Sequence, residues 1–202
     1  MSETKDRPYH HGNLRRVLID TALAMLAADQ NWAFTLREVA RRTGVSHAAP
    51  YKHFRDREEL LRELARIGFV QLGEVMEDAI VKDALSMRAK FIAGAAACIA
   101  FAVFNPGLYR LMFSSDADKT ADPHLHDAAM RIFRILLQLL EDGQRDGSFR
   151  PVALNAQAAA SWAQVHGLAM LAISGQLLEE KVGPEPVRAA LDVLLDGVCR
   201  EK

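Results

Sequence analysis

Apolar positions recur at three- and four-residue spacing along nearly the whole chain, and no segment alternates with the period of a strand. The first stripe, Leu14, Val17, Leu18, Thr21, Ala22, Met25 and Leu26, predicts a helix from Asn13 to Ala28. Thr35 followed by Glu38 is the pattern of a capping box, in which the hydroxyl accepts from the Glu38 amide and the carboxylate reaches back. Leu36, Val39 and Ala40 then face inwards, and Arg37, Arg41 and Arg42 face outwards. Gly44 stops that helix, Val45 plugs the corner, and Ser46 is placed to cap a further helix over His47–Phe54. Asp56 and Glu59 suggest a second capping box, opening a helix from Arg57 to about Asp78. Its inner face carries Leu60, Leu61, Leu64, Ile67, Gly68 and Leu72, with Phe69 on the flank.

The rest reads as helical too. A helix over Leu85–Phe104 ends at Asn105-Pro106, because the residue before a proline avoids the α region. A short helix follows through Leu108–Phe113, then a polar loop over Ser114–Ala121. Asp122 caps a helix with Pro123 in its first turn, and Gly143 is expected to end it. Asn155 is expected to cap an alanine-rich helix ending at Ser174-Gly175, and the last helix runs from Pro184 or Glu185 to about Cys199. The fold class is all-α, with about nine helices: a basic three-helix head over residues 1–56 and a helical body over 57–202, joined through the 57–78 helix.

Charge sharpens that division. Residues 1–57 hold ten Lys/Arg against six Asp/Glu, whereas residues 58–202 hold fifteen against twenty. A basic end on an acidic, apolar body places any polyanion contact in the head. Cys98 and Cys199 lie in apolar helical contexts and read as small hydrophobes. The charged start is unlike a secretion signal, and the apolar run Phe91–Phe104 is about 14 residues, short for a bilayer span. These features suggest a cytoplasmic protein with no membrane partner.

Helix, tight turn and a second basic helix are the parts of a helix-turn-helix, whose second helix enters a DNA major groove. On that geometry His47 addresses purine edges, Ala48 and Ala49 can meet only thymine methyls, and Tyr51, Lys52 and His53 reach phosphate and sugar. Pro50 sits inside the segment and withholds an amide from the Ser46 carbonyl, so a slightly opened start is expected. Arg15 and Arg16 open the first helix with the charge its dipole disfavours; they are exposed side chains, or phosphate contacts beside an arm over Tyr9–Asn13.

The segment from about Tyr9 to Leu72, above all Tyr51-Lys-His-Phe54 and Arg55-Asp-Arg-Glu-Glu-Leu60, resembles the DNA-binding domain of the tetracycline-repressor (TetR) family. Trp162 with His166-Gly167 is similar to the Trp-His-Gly signature of one C-terminal subgroup. The resemblance implies that Arg37 contacts bases, that Arg57 anchors phosphate, and that Thr35 and Ser46 cap helices while touching phosphate. It also implies a homodimer on double-stranded DNA with a palindromic operator, its recognition helices about 34 Å apart. Small-residue faces near 155–174 and 184–199 would supply the dimer interface. A small apolar effector would then move the 57–78 helix and release the DNA.

Candidate effector contacts are Phe91, Cys98, Phe101, Phe104, Leu108, Tyr109, Met112, Phe133, Trp162, His166 and Met170, with Trp162 and His166 one helical turn apart. Either residue could equally be a packed core side chain. No cofactor is implied, and His124 and His126, two apart, do not share a helix face as a metal pair would. An enzyme built on Ser161, Trp162 and His166 finds no nucleophile–base–orienter set. A carrier with a vestigial head is opposed by the intact basic surface. A constitutive regulator without effector is the remaining alternative.

Overall fold

The computed structural model describes residues 14–81 and 85–199. Among them are nine α-helical segments, one 3-10 turn and one isolated β-bridge, Phe149 to Cys199. The helices are α1 (Leu14–Asp29), α2 (Leu36–Thr43), α3 (Arg57–Ile80), α4 (Met87–Phe104), α5 (Pro106–Met112), α6 (Pro123–Arg145), α7 (Leu154–Ile173), α8 (Glu179–Val182) and α9 (Pro186–Val198). The expected arm over residues 9–13 lies outside the described residues.

In the head, α1, α2 and the start of α3 close around Leu18, Ala22, Leu26, Phe34, Val39, Phe54, Leu60 and Leu64, all buried. The capping box forms as its chemistry requires: Glu38 N donates to Thr35 Oγ1 at 3.2 Å, and Thr35 N to Glu38 Oε2 at 2.7 Å. Gly44 adopts φ +78°, the left-handed stop. The second box closes differently. Asp56 accepts from Glu59 N, but the Glu59 carboxylate takes the Arg55 amide instead of that of Asp56.

α3 is 24 residues long, about 36 Å, and runs without a break from the head into the body. There α3, α4, α7 and α6 form a ring in which each helix packs on the next, with α5 against α1 and α3 and with α9 against α4 and α7. A single apolar core extends through head and body. Two arginines tie these helices together. Arg131 of α6 grips Glu77 of α3 through Nε at 3.0 Å and Nη2 at 2.5 Å, and Arg88 of α4 holds Asp192 and Asp196 of α9 at 3.0 Å each.

Several expectations are corrected. α4 reaches 18 residues, long and apolar enough to cross a membrane by length and composition, yet it packs on five other helices. Phe69 is buried inside the bundle, not on the flank. α6 runs through Gly143 to Arg145: a Cβ there would lie 2.1 Å from the Phe149 ring, so this glycine makes room for an aromatic ring rather than ending a helix. α7 begins at Leu154 after Ala153 with no side-chain cap, so Asn155 does not cap it.

A candidate DNA-binding surface and an apolar cavity

Pro50 reshapes the recognition segment more than sequence suggests. With no amide to offer, it leaves the Ser46 carbonyl to Ala49 N (3.0 Å); Lys52 N then bonds to Ala49 O and His53 N to Pro50 O, each three residues back. An expected α-helix over His47–Phe54 is therefore a turn followed by the 3-10 segment Pro50–Lys52, and Ser46 makes no side-chain cap.

The tightened segment still presents one surface. Thr35, Arg37, Ser46, His47, Ala48, Tyr51 and Lys52 are exposed, Tyr51 by 50%, whereas His53 is partly covered and Phe54 is core. Ser46, Lys52 and His53 also line a shallow cleft with Leu14, at the start of α1. Among the described residues Arg37, Arg41, Arg42 and Lys52 enter no ion pair, although most arginines elsewhere do. Four unneutralised cations within sixteen residues are the electrostatic footprint of a phosphate-binding face.

Two other cations are engaged inwards. Arg57 donates from Nε to Phe34 O at 2.9 Å and from Nη2 to Trp32 O, bracing the turn between α1 and α2. Arg15 pairs with Glu63 at 3.2 Å and lies over the Phe54 ring, and Arg16 pairs with Asp20 at the surface.

Inside the four-helix ring is an apolar cavity of about 590 Å³. α3 contributes Phe69, Met76 and Ile80; α4 contributes Phe91, Gly94, Ala95 and Cys98; α6 contributes Met130, Phe133, Leu136 and Leu139; α7 contributes Trp162 and Val165. Phe113 and Lys119 close one end. That volume falls within the range of small-molecule sites. Burial pushes the Cys98 thiol up to about 11, which keeps it a neutral wall.

Of the residues singled out by sequence, Phe91, Cys98, Phe133 and Trp162 line this space. Phe101, Tyr109, Met112, His166 and Met170 do not, and neither do Leu108 or Phe104. Phe104 is 83% exposed at the end of α4. Met112 and Leu108 are packed on α3, where a Cβ at Gly68 would lie 2.6 Å from Met112 Sδ and 3.1 Å from Leu108 Cδ1. Tyr109 and His166 form a pair behind Phe113, with Tyr109 Oη to His166 Nδ1 at 3.0 Å and the His166 ring 4.5 Å from that of Phe113. Burial raises the Tyr109 pKa far above the ordinary range and lowers that of His166, so the neutral forms of both share this hydrogen bond. Among the described residues the buried Ser161 hydroxyl has no hydrogen-bond partner and so no base to activate it.

Residues 18–64 match the family described as bacterial regulatory proteins, tetR family, and residues 91–198 match the tetracyclin repressor-like C-terminal domain. The chain belongs to the TetR family. A protein of unknown function from Rhodococcus sp. RHA1 is 35% identical, with TM-score 0.84 over 96% of this chain and 100% of its own. The ketosteroid transcriptional regulator KstR2 of Mycobacterium tuberculosis is similar in fold, with 21% identity and TM-score 0.67 over 95% and 98% of the two chains. So is the fatty acid degradation regulator FadR from Bacillus halodurans, with 14% identity and TM-score 0.71 over 95% and 97%. As a TetR-family member this chain is a transcriptional regulator and not an enzyme.

Proposed function

We propose that this TetR-family regulator is a cytoplasmic homodimeric repressor, released from a palindromic operator when a small apolar effector enters the body cavity. The observation that carries the reading is the continuity of α3: its Phe69, Met76 and Ile80 line the cavity, while Arg57 at its start braces the turn that leads into α2. A ligand that displaces the cavity-lining part of α3 therefore acts on the head through one rigid element. A tenfold loss of operator affinity needs about 1.4 kcal/mol of coupling.

Direct readout is assigned to Arg37 and His47, with Ala48 limited to thymine methyls; Thr35, Ser46, Tyr51, Lys52 and His53 are assigned to the backbone. Arg57 is assigned a positioning role. The dimer face is assigned to α7 and α9, where Ala156, Ala160, Ala163, Gly167 and Leu171 recur at helical spacing beside Ala189, Val193 (72% exposed) and Gly197. The Trp162–His166–Gly167 likeness to one C-terminal subgroup belongs to this reading too.

Electrophoretic titration against DNA selected by the protein from genomic fragments tests it. Log affinity is expected to fall with log salt by about 0.9 per phosphate contact. Tyr51→Ala with Lys52→Ala should weaken specific and non-specific DNA together, and His47→Ala should change sequence preference. A double variant that binds as tightly as wild type removes the assignment of this surface.

A further inference from the structure

Lys119 lies in the loop between α5 and α6, a polar stretch whose helical neighbours give it no obvious task. Its amine stands at one end of the cavity, 5.6 Å from the Phe69 ring centroid and 6.0 Å from that of Phe113, and among the described residues no carboxylate pairs with it. Every acidic residue of the loop is committed elsewhere. Asp116 accepts from Trp32 Nε1 at 2.6 Å, Asp118 from Thr120 N and Oγ1 at 2.8 and 2.7 Å, and Asp122 from the first amides of α6. A half-buried cation facing two aromatic rings, with only the field of Asp118 beside it and no carboxylate in ion-pair contact, is open to an anionic partner. Burial pulls its pKa down, against the smaller opposing effect of the Asp118 charge.

The cavity's shape adds a second constraint. From Phe69 to Ile80 it follows eleven residues of α3, about 16 Å, and beyond the Lys119 end its walls are aliphatic and aromatic side chains. Its volume of 590 Å³ holds about twenty water-sized groups of roughly 30 Å³ each.

We infer that the cavity takes an elongated apolar monocarboxylate of up to about twenty non-hydrogen atoms, with Lys119 pairing its carboxylate and the tail running towards Ile80 and Leu139. This rests on the reading of the cavity as the effector site and deepens it. The headgroup then sits at the end of the cavity nearest the DNA-binding head. It lies on the same loop as Asp116, whose bond to Trp32 joins that loop to the turn between α1 and α2.

Tetradecanoic acid and tetradecanol, which share a tail and differ in the headgroup, separate the two claims when titrated calorimetrically below micellar concentration. Wild type is expected to bind the acid at least tenfold more tightly than the alcohol. Lys119→Met should bring the two affinities together by weakening the acid alone, and Lys119→Gln should do the same. Acid and alcohol binding wild type equally would overturn the Lys119 assignment and leave the cavity reading intact. Lys90 and Arg134 line a separate cleft that adjoins the cavity at Ile80 and Leu139, so an acid preference that survives Lys119→Met but is lost in Lys90→Met with Arg134→Met would put the headgroup there and overturn the assignment as well. If wild type binds neither probe, and no longer or shorter acid of the series, the cavity reading itself falls.

Discussion

Gly107→Ala tests whether the seam between head and body is as close-fitting as it looks. Gly107 is the second residue of α5, and a Cβ built there would lie 2.7 Å from the Leu26 carbonyl oxygen, 3.1 Å from Gln30 Cα and 3.2 Å from Gln30 C. All three are backbone atoms at the end of α1, so no rotamer change can clear them. Reaching the 3.4 Å of ordinary contact means opening the seam by about 0.7 Å, the difference from 2.7 Å. Overpacking of this kind costs about 1–3 kcal/mol. Replacing a first-turn glycine recovers a few tenths of a kcal/mol at most, since the full helix-interior gain is only about 0.5–1 kcal/mol. A net loss of about 1–2 kcal/mol corresponds to a fall in Tm of roughly 2–8 °C for a chain of this size. Gly94→Ala is the control: its Cβ would meet only the Ile80 Cγ2 methyl, at 3.1 Å, which can turn aside. Scanning calorimetry of the three proteins decides. If Gly107→Ala melts within a degree of wild type, or no lower than Gly94→Ala, the seam is not a rigid contact and the reasoning fails.

Three further outcomes are expected. Arg57→Lys keeps the charge but cannot fork onto two carbonyls, so it should lose about 1–3 kcal/mol by thermal melting, much as Arg57→Ala does, while the salt slope of DNA binding stays at the wild-type value; a lysine variant with wild-type Tm refutes the bracing role. Burial lowers the folded pKa of His166 below 6.5, so the unfolded chain binds the extra proton first, and the stability present above that value is lost as pH falls through it. His166→Gln retains an acceptor for Tyr109 and should show a smaller drop in Tm between about pH 7.5 and 5.5 than wild type; equal drops would remove His166 from the pH dependence. Gly167 has nothing within 4 Å of a built Cβ, so Gly167→Leu is tolerated inside one subunit but should raise the dimer dissociation constant in sedimentation equilibrium, and an unchanged constant would exclude that face of α7 as the interface.

The parts of this protein that were legible in its sequence are those fixed by chemistry within a few residues. The Thr35–Glu38 box, the Gly44 stop, the break at Asn105-Pro106 and the Asp122 cap all act locally, and all form as read. Pro50 is local too, but its effect is larger than the cost of one missing amide. Once the Ser46 carbonyl is taken by Ala49, the bonds from Lys52 and His53 close three residues back, and a four-residue bond appears only at the end, from Phe54 N to Pro50 O. What sequence could not supply is which of several equally apolar residues face the cavity. Phe91 and Cys98 do, whereas Phe101 and Met112 are buried outside it, Met112 because Gly68 admits the α5 side chains to the face of α3. Gly143 shows the same limit from the other side: punctuation by composition reads it as a stop, while the ring that occupies its missing Cβ arrives from six residues further on. Lys119 is the sharpest case. Among a run of solvated residues nothing in the pattern distinguishes one lysine from its neighbours. Only folding brings its amine over Phe69 and Phe113 while Asp116 and Asp118 turn to Trp32 and Thr120. The cation that gives this cavity its chemical preference is therefore created by where its neighbours' charges go, a property of tertiary structure that no helical period encodes.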